Sequence, residues 1–233
     1  MIDTTFIDRL LELARVEIKD FDGRKYVSKK LAPVVDPVAD PVVMHTLTGL
    51  VDLLPSLKSE GMMVHVADFN QVHIISPLFG PFKQREVFAT AKAYDLLFIF
   101  DKYLPLEDFL IRMQTMFVQD ESTEKIIRLA SNLTHGAEQT FEDDGVTQRV
   151  TAKVGVARVA QVEVPNPVEL RPFRTFADVE QPISKFVFRI QAGNNGKAPS
   201  CALFEADGGA WKNAAIANIR QWLAGHVQIK IIA

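Results

Sequence analysis

The chain has 233 residues, with 26 basic against 29 acidic side chains for a net charge of −3, and is 48% hydrophobic and 24% charged. These ordinary globular values exclude long disordered stretches, and the near-balance of charge excludes a general DNA coat, which needs a basic excess to displace counterions, although a local patch stays open. The single cysteine, Cys201, excludes an internal disulfide framework and fits a reducing compartment; within Cys201-Ala202-Leu203-Phe204 it reads as a buried, inert thiol.

At the N-terminus Asp3, Asp8 and Arg9 interrupt the apolar residues, so no signal peptide is expected. No apolar run approaches the ~20 residues of a membrane span. A soluble, cytoplasmic protein with no membrane partner is the expectation. Residues 4–16 carry Phe6, Ile7, Leu10, Leu11, Leu13 and Ala14 at helical spacing, and residues 16–28 read as a small hairpin about Asp22-Gly23. Pro33, Pro37 and Pro41 recur every fourth position through residues 31–43, which disfavours helix and predicts an extended arm. Its Val34, Val35, Val38, Val42 and Val43 need cover, from the body of the chain or from a neighbouring subunit.

Residues 46–58 form a short helix with Leu47, Leu50, Val51 and Leu54 on one face, bent near Pro55. A hairpin follows over 62–76, with Asp68-Phe69-Asn70-Gln71 as its turn, then a strand over 82–91 and a short apolar run at 96–100. Helices over 105–117 and 122–133, the second capped by Ser122, make an αα-hairpin joined by Gln119-Asp120-Glu121. Residues 139–207 read as one long antiparallel sheet, its runs separated by Asp144-Gly145, Pro165-Asn166-Pro167 and Gly193-Asn194-Asn195-Gly196. A helix over 210–224 closes the body, and the period-two tail at 226–233, with Ile229 and Ile231, adds a strand to its own sheet or to a partner's. The fold class is α+β: a predominantly antiparallel sheet with an αα-hairpin and a closing C-terminal helix. Residues 1–44 form the helix, hairpin and arm, and residues 45–233 a single body.

Motifs for nucleotide, zinc-protease or serine-hydrolase chemistry do not occur in the sequence. A four-residue turn places Val66 opposite His73 and puts His65 and His73 on opposite faces of the hairpin; a five-residue loop would put both on one face, where with Asp68 they would hold a metal. The first register is the expectation, with no metal and no cofactor. His45, His135 and His226 fall at element boundaries and read as exposed. Asp143-Asp144-Gly145 is explained by hairpin geometry. Glu205 and Asp207, two apart on a strand, share a face as two catalytic carboxylates would, but a solvated face explains them as well. Arg171, Arg174, Lys185 and Arg189, interleaved with Phe173, Phe176, Phe186 and Phe188, match the pattern of a sheet that stacks bases and holds phosphates; the same alternation describes core phenylalanines with solvated cations, and that reading is preferred.

The run His45-Thr46-Leu47-Thr48-Gly49-Leu50-Val51-Asp52, the hairpin to Ser76, the helix over 106–117 and Phe186-Val187-Phe188-Arg189-Ile190 resemble the phage and prophage proteins of unknown function typified by YfdQ. Over residues 45–224, HTLTGLVD, DDGVTQ, VPNPVELRPFRTF and ALFEADGG are similar to hypothetical proteins of phages of Gram-positive bacteria. The resemblance implies a phage accessory protein acting in the host cytoplasm, and it supplies no catalytic residues. The expectation is a non-enzymatic homo-oligomer, associating through the arm (Val34, Val35, Val38, Val42) and tail (Ile229, Ile231), that binds a host defence factor or a small nucleotide-like ligand. The alternative is a nucleic-acid-binding protein assisting recombination or replication through Arg171, Arg174, Lys185 and Arg189.

Overall fold

The computed structural model describes residues 4–21, 24–27, 38–57, 59–80, 83–94, 98–132, 138–143, 148–153, 161–163, 166–191 and 199–233. It divides into two compact units, 1–38 and 39–233. In the first, helix α1 (Thr4–Ala14) precedes an antiparallel hairpin of β1 (Ile18–Phe21) and β2 (Arg24–Val27), with Ile18 opposite Val27. The Asp22-Gly23 turn, Val34 and Val35 lie outside the described residues.

The second unit begins earlier than the expected boundary at 44, because β3 (Val42–Met44) pairs in parallel with β6 (Val87–Lys92). Helix α2 (Leu47–Leu53) continues into a 3-10 turn at Leu54–Ser56. The hairpin of β4 (Met63–Asp68) and β5 (Gln71–Ile75) follows, and β5 pairs with β6. β7 (Leu104–Pro105) leads into α3 (Leu106–Met116), and α4 (Glu121–Asn132) completes the αα-hairpin. Asp120, rather than Ser122, caps α4: its carboxylate accepts from Thr123 N at 2.9 Å.

The stretch 139–207 is not one sheet. β8 (Glu138–Asp143), β9 (Gln148–Lys153) and β10 (Gln161–Glu163) form a three-stranded antiparallel sheet of their own. β11 (Val168–Leu170), β12 (Ser184–Gln191) and β13 (Ser200–Glu205) join β7 in a second, ordered β11-β12-β13-β7. The turns at Asp144-Gly145 and 193–196 lie outside the described residues. Helix α5 (Ala210–His226) runs through Gly225, and β14 (Lys230–Ile232) adds in parallel to β4, giving a five-stranded sheet β14-β4-β5-β6-β3. The architecture is therefore α+β, mostly antiparallel, with a parallel pair at each edge of the five-stranded sheet. Among the described residues no helix is long and apolar enough to cross a membrane.

Each of the two larger sheets builds its own core. On the four-stranded sheet the alternation of β12 turns Phe186, Phe188 and Ile190 inward against Phe109 and Met113 of α3 and Ile126 of α4. On the five-stranded sheet Val64, Val66, Val72 and Ile74 meet Leu47 and Leu50 of α2 and Ile219 and Leu223 of α5. Ile229 and Ile231 of the tail pack against this second core, so the tail strand is taken up by its own sheet.

Residues 171–183 connect the cores without being helix or strand. Such backbone can be buried only if its polar groups find partners. Gln181, 5% exposed, supplies four: Oε1 accepts from Arg174 N and Thr175 N, and Nε2 donates to Phe176 O and Val179 O. The stretch is tied outward as well. Val118 N donates to Arg171 O and Phe173 N to Met116 O beside the αα-hairpin, Thr175 Oγ1 donates to Phe69 O in the β4–β5 turn, and Asn218 Nδ2 of α5 donates to Glu180 O. Asp178 caps α2: its carboxylate accepts from Leu47 N and Thr48 N, both at 3.1 Å, while Thr46 Oγ1 takes Gly49 N. A Cβ at Gly49 would sit 3.0 Å from Thr46 Oγ1, which explains the glycine in this first turn.

Two predictions follow from this connector. Gln181→Leu leaves four backbone groups without partners at about 1–3 kcal/mol each, so urea titration will show a loss of at least ~4 kcal/mol or no folded protein. At Asp178 burial raises the carboxyl pKa, but the hydrogen bonds from Thr48 and Leu47 outweigh it and leave the group below its ordinary value. Its stabilisation is therefore complete above the unfolded value of about 3.9 and fades as pH falls through the folded one. Asp178→Asn replaces one of the two accepting oxygens by an N–H, which will cost about 1–3 kcal/mol at neutral pH, and will remove that part of the acid dependence, both read from urea midpoints between neutral pH and pH 3.

Candidate functional site

A constellation of polar and aromatic groups surrounds Arg174 on the connector. Its guanidinium carbon lies 4.2 Å from the Phe100 ring centre, 4.4 Å from Trp211 and 5.3 Å from Phe186, and its side chain is only 7% exposed. Nη2 donates to Glu205 Oε1 at 2.6 Å. Burial pulls the guanidinium pKa below its ordinary value, and Glu205, then Asp207 and Asp101, oppose that shift. An arginine in such a place stays charged, and its planar fork suits both the carboxylate and the ring faces.

The run Phe204-Glu205-Ala206-Asp207-Gly208-Gly209-Ala210-Trp211 builds the rest of the site by ending a strand and starting a helix within a few residues. β13 stops at Glu205, whose N donates to Asp101 Oδ1. Gly208 and Gly209 take φ of +61° and +82°, values that side chains rarely adopt, and so turn the chain into α5. Asp207 Oδ1 accepts from Gly209 N at 2.9 Å. Trp211, 7% exposed, meets the Phe69 ring edge-on at 4.9 Å, with Lys212 Nζ 5.8 Å from both rings. Three polar atoms of this cluster are buried without a partner: Arg174 Nη1, Trp211 Nε1 and Asp207 Oδ2. Two are donors and one is an acceptor, grouped about one cation.

Three of the basic residues read from the sequence are held in separate ion pairs. Arg171 pairs with Glu180 at 3.0 Å, Arg174 with Glu205, and Lys185 with Glu169 at 3.9 Å, while Arg189 is half-buried on β12. Arg174 is enclosed, against the expectation of a solvated cation. Phe186 and Phe188 are fully buried and Phe176 nearly so, leaving those rings no face on which a base could stack. Glu205 and Asp207 are separated by the end of β13 and held by different partners, so they do not form a strand-face carboxylate pair. Cys201 is buried, which pushes its thiol up to about 12 and leaves it without nucleophilic character. Of the apolar contact residues, Val38 and Val42 are exposed at 59% and 50%.

The histidine register also differs from expectation. His65 stands opposite His73 and Val66 opposite Val72, with a bulge between Val66 and Asp68 absorbing the odd residue. The two rings share a face at 6.2 Å, and His73 Nδ1 lies 2.9 Å from Thr90 Oγ1. Burial, then the neighbouring His65, pushes the His73 imidazole below its ordinary pKa. His45 and His226 are exposed as expected, stacked on Tyr94 and Trp222, and His135 lies outside the described residues.

Asp101, Trp211 and the role of Asp207 escape sequence reasoning because nothing local links them to Arg174; the one signal present is a strand-to-helix turn ending in tryptophan. No family model, curated protein or solved structure matches the chain. Arg174→Lys keeps the charge but loses the fork and the ring stacking. It will cost about 2 kcal/mol in urea unfolding; an unchanged midpoint would show that the fork carries no weight.

Proposed function

We propose that this chain is a phage or prophage accessory protein that works in the host cytoplasm by binding, without chemistry on a substrate, and that its ligand site is the Arg174–Trp211–Asp207 cluster. The observation that carries the reading is the set of three buried, unpartnered polar atoms around an enclosed guanidinium. A buried polar group without a partner costs about 1–3 kcal/mol, and the gathering of three such atoms about one guanidinium supports an occupant there. Two donors beside one acceptor fit a neutral amide edge: a carbonyl oxygen takes the Arg174 and Trp211 N–H groups, and its adjacent N–H donates to Asp207 Oδ2. The lactam edge of a guanine or uracil base has that arrangement, in keeping with a small nucleotide-like signalling ligand. An anionic group entering the cluster fits less well, since Glu205, Asp207 and Asp101 already outweigh the arginine. Self-association, in this reading, uses the exposed Val42 and Val43 at the β3 edge.

Native mass spectrometry of untagged protein tests retention and assembly together, and Trp211 gives an optical readout once the other tryptophan is removed by Trp222→Phe. Guanosine and uridine nucleotides will quench that fluorescence saturably and adenosine nucleotides will not, with Asp207→Asn abolishing the response. Absence of retained mass and of any quench across the panel would make the cluster a structural one, its polar atoms satisfied by water.

A further inference from the structure

The β4–β5 hairpin carries a second constellation that the ligand reading does not use. His65 and His73 are direct cross-strand partners on one face of the five-stranded sheet, with ring centres 6.2 Å apart and planes inclined by 35°. Both are only partly exposed, and the ladder puts them in a row running from Val43 through Thr90, His73 and His65 to Ile232. We propose that His65 and His73 form a two-imidazole chelate for a divalent late transition metal ion of the copper, nickel or zinc type.

Directly opposed side chains on a sheet have Cβ atoms about 4.5–5.5 Å apart. Two imidazole nitrogens that each lie ~2.0–2.1 Å from a shared ion place their ring centres about 5–6 Å apart. The observed spacing is just beyond that, so a small rotation of either ring closes the chelate without moving backbone. Thr90, opposite His73 on β6, is within hydrogen-bond distance of Nδ1 at 2.9 Å. With Nδ1–H donating to Thr90 Oγ1, the lone pair sits on Nε2, and the ring is oriented as metal-bound histidines are oriented by their outer partners. Imidazole donors select the borderline ions over calcium and magnesium, which prefer oxygen. Among the described residues no group of three or more histidine, cysteine or carboxylate side chains forms a metal site, so water completes the coordination.

The test is isothermal titration of untagged, chelator-treated protein with nickel, zinc and copper salts. Expected is one ion per chain for at least one metal, with binding lost in both His65→Ala and His73→Ala and unchanged in His45→Ala and His226→Ala. Thr90→Val, which removes only the orienting hydroxyl, will weaken binding about tenfold. A copper complex will show two nitrogen couplings in its electron paramagnetic resonance spectrum. Far-ultraviolet circular dichroism matching that of the parent excludes misfolding of the variants as the cause of lost binding. Absence of a stoichiometric ion, or affinity that survives both ligand substitutions, overturns the assignment. Neither outcome bears on the Arg174 cluster, whose readout is ligand retention and Trp211 fluorescence.

Discussion

Buried backbone that is neither helix nor strand must find partners for every polar group, and the second unit depends on how residues 171–183 meet that demand. A segment of this kind gains no ladder of its own. Gln181 serves as a substitute, with both ends of one amide bridging two N–H groups and two carbonyls. Once the segment is fixed, the groups it carries become fixed too. Phe176 and Val179 enter the second core, Asp178 caps α2, Thr175 reaches the β4–β5 turn, and Arg174 is delivered between Phe100, Phe186 and Trp211.

Arg174 differs in kind from the other ion pairs. Arg171–Glu180 and Lys185–Glu169 lie on the surface, where water screens the charges and the ordering of long side chains offsets the gain; such pairs are worth between nothing and about 1 kcal/mol. Arg174 has given up nearly all of its water. Its attraction to Glu205 and to the ring faces must first repay that desolvation, which often exceeds what a single pair returns. A leucine or methionine would fill the same space at lower cost. The arginine therefore adds little net stability over an apolar side chain of its size, while removing its fork would leave Glu205 and the rings without their partner.

The elements with strong periodicity were legible. β12, α3, α4 and α5 each bury one periodic face, such as Leu106, Phe109 and Met113 of α3 and Ala215, Ile219 and Leu223 of α5, because burial of a face is decided within each element. What lay between elements was not legible. Asp178 and Leu47 are 131 positions apart, and no feature of either residue announces the other. The division of 139–207 into two sheets is likewise a matter of which strands meet, which turn signals do not specify. Nor does the interleaving of arginine with phenylalanine distinguish a solvated cation from an enclosed one; that depends on where Trp211 and Phe100 arrive from elsewhere in the chain.

The His65–His73 register was readable in principle, and the turn concealed it. Counting residues in Asp68-Phe69-Asn70-Gln71 favours Val66 opposite His73, but that pairing moves Val72 and Ile74 off the core face and puts His73 onto it. Val64, Val66, Val72 and Ile74 share the core face only if Val66 stands opposite Val72, and all four are buried, three of them completely. Pairing Val66 with His73 would bring His73 and Ile75 to the core face in place of Val72 and Ile74, so it buries an imidazole and forfeits one aliphatic side chain at about 1.5–3 kcal/mol, whereas a bulge between Val66 and Asp68 costs one unpaired residue at the end of a hairpin. The hydrophobic pattern therefore sets the register and the turn accommodates it. The imidazole pair on the outer face is a consequence of keeping four aliphatic side chains on the inner one.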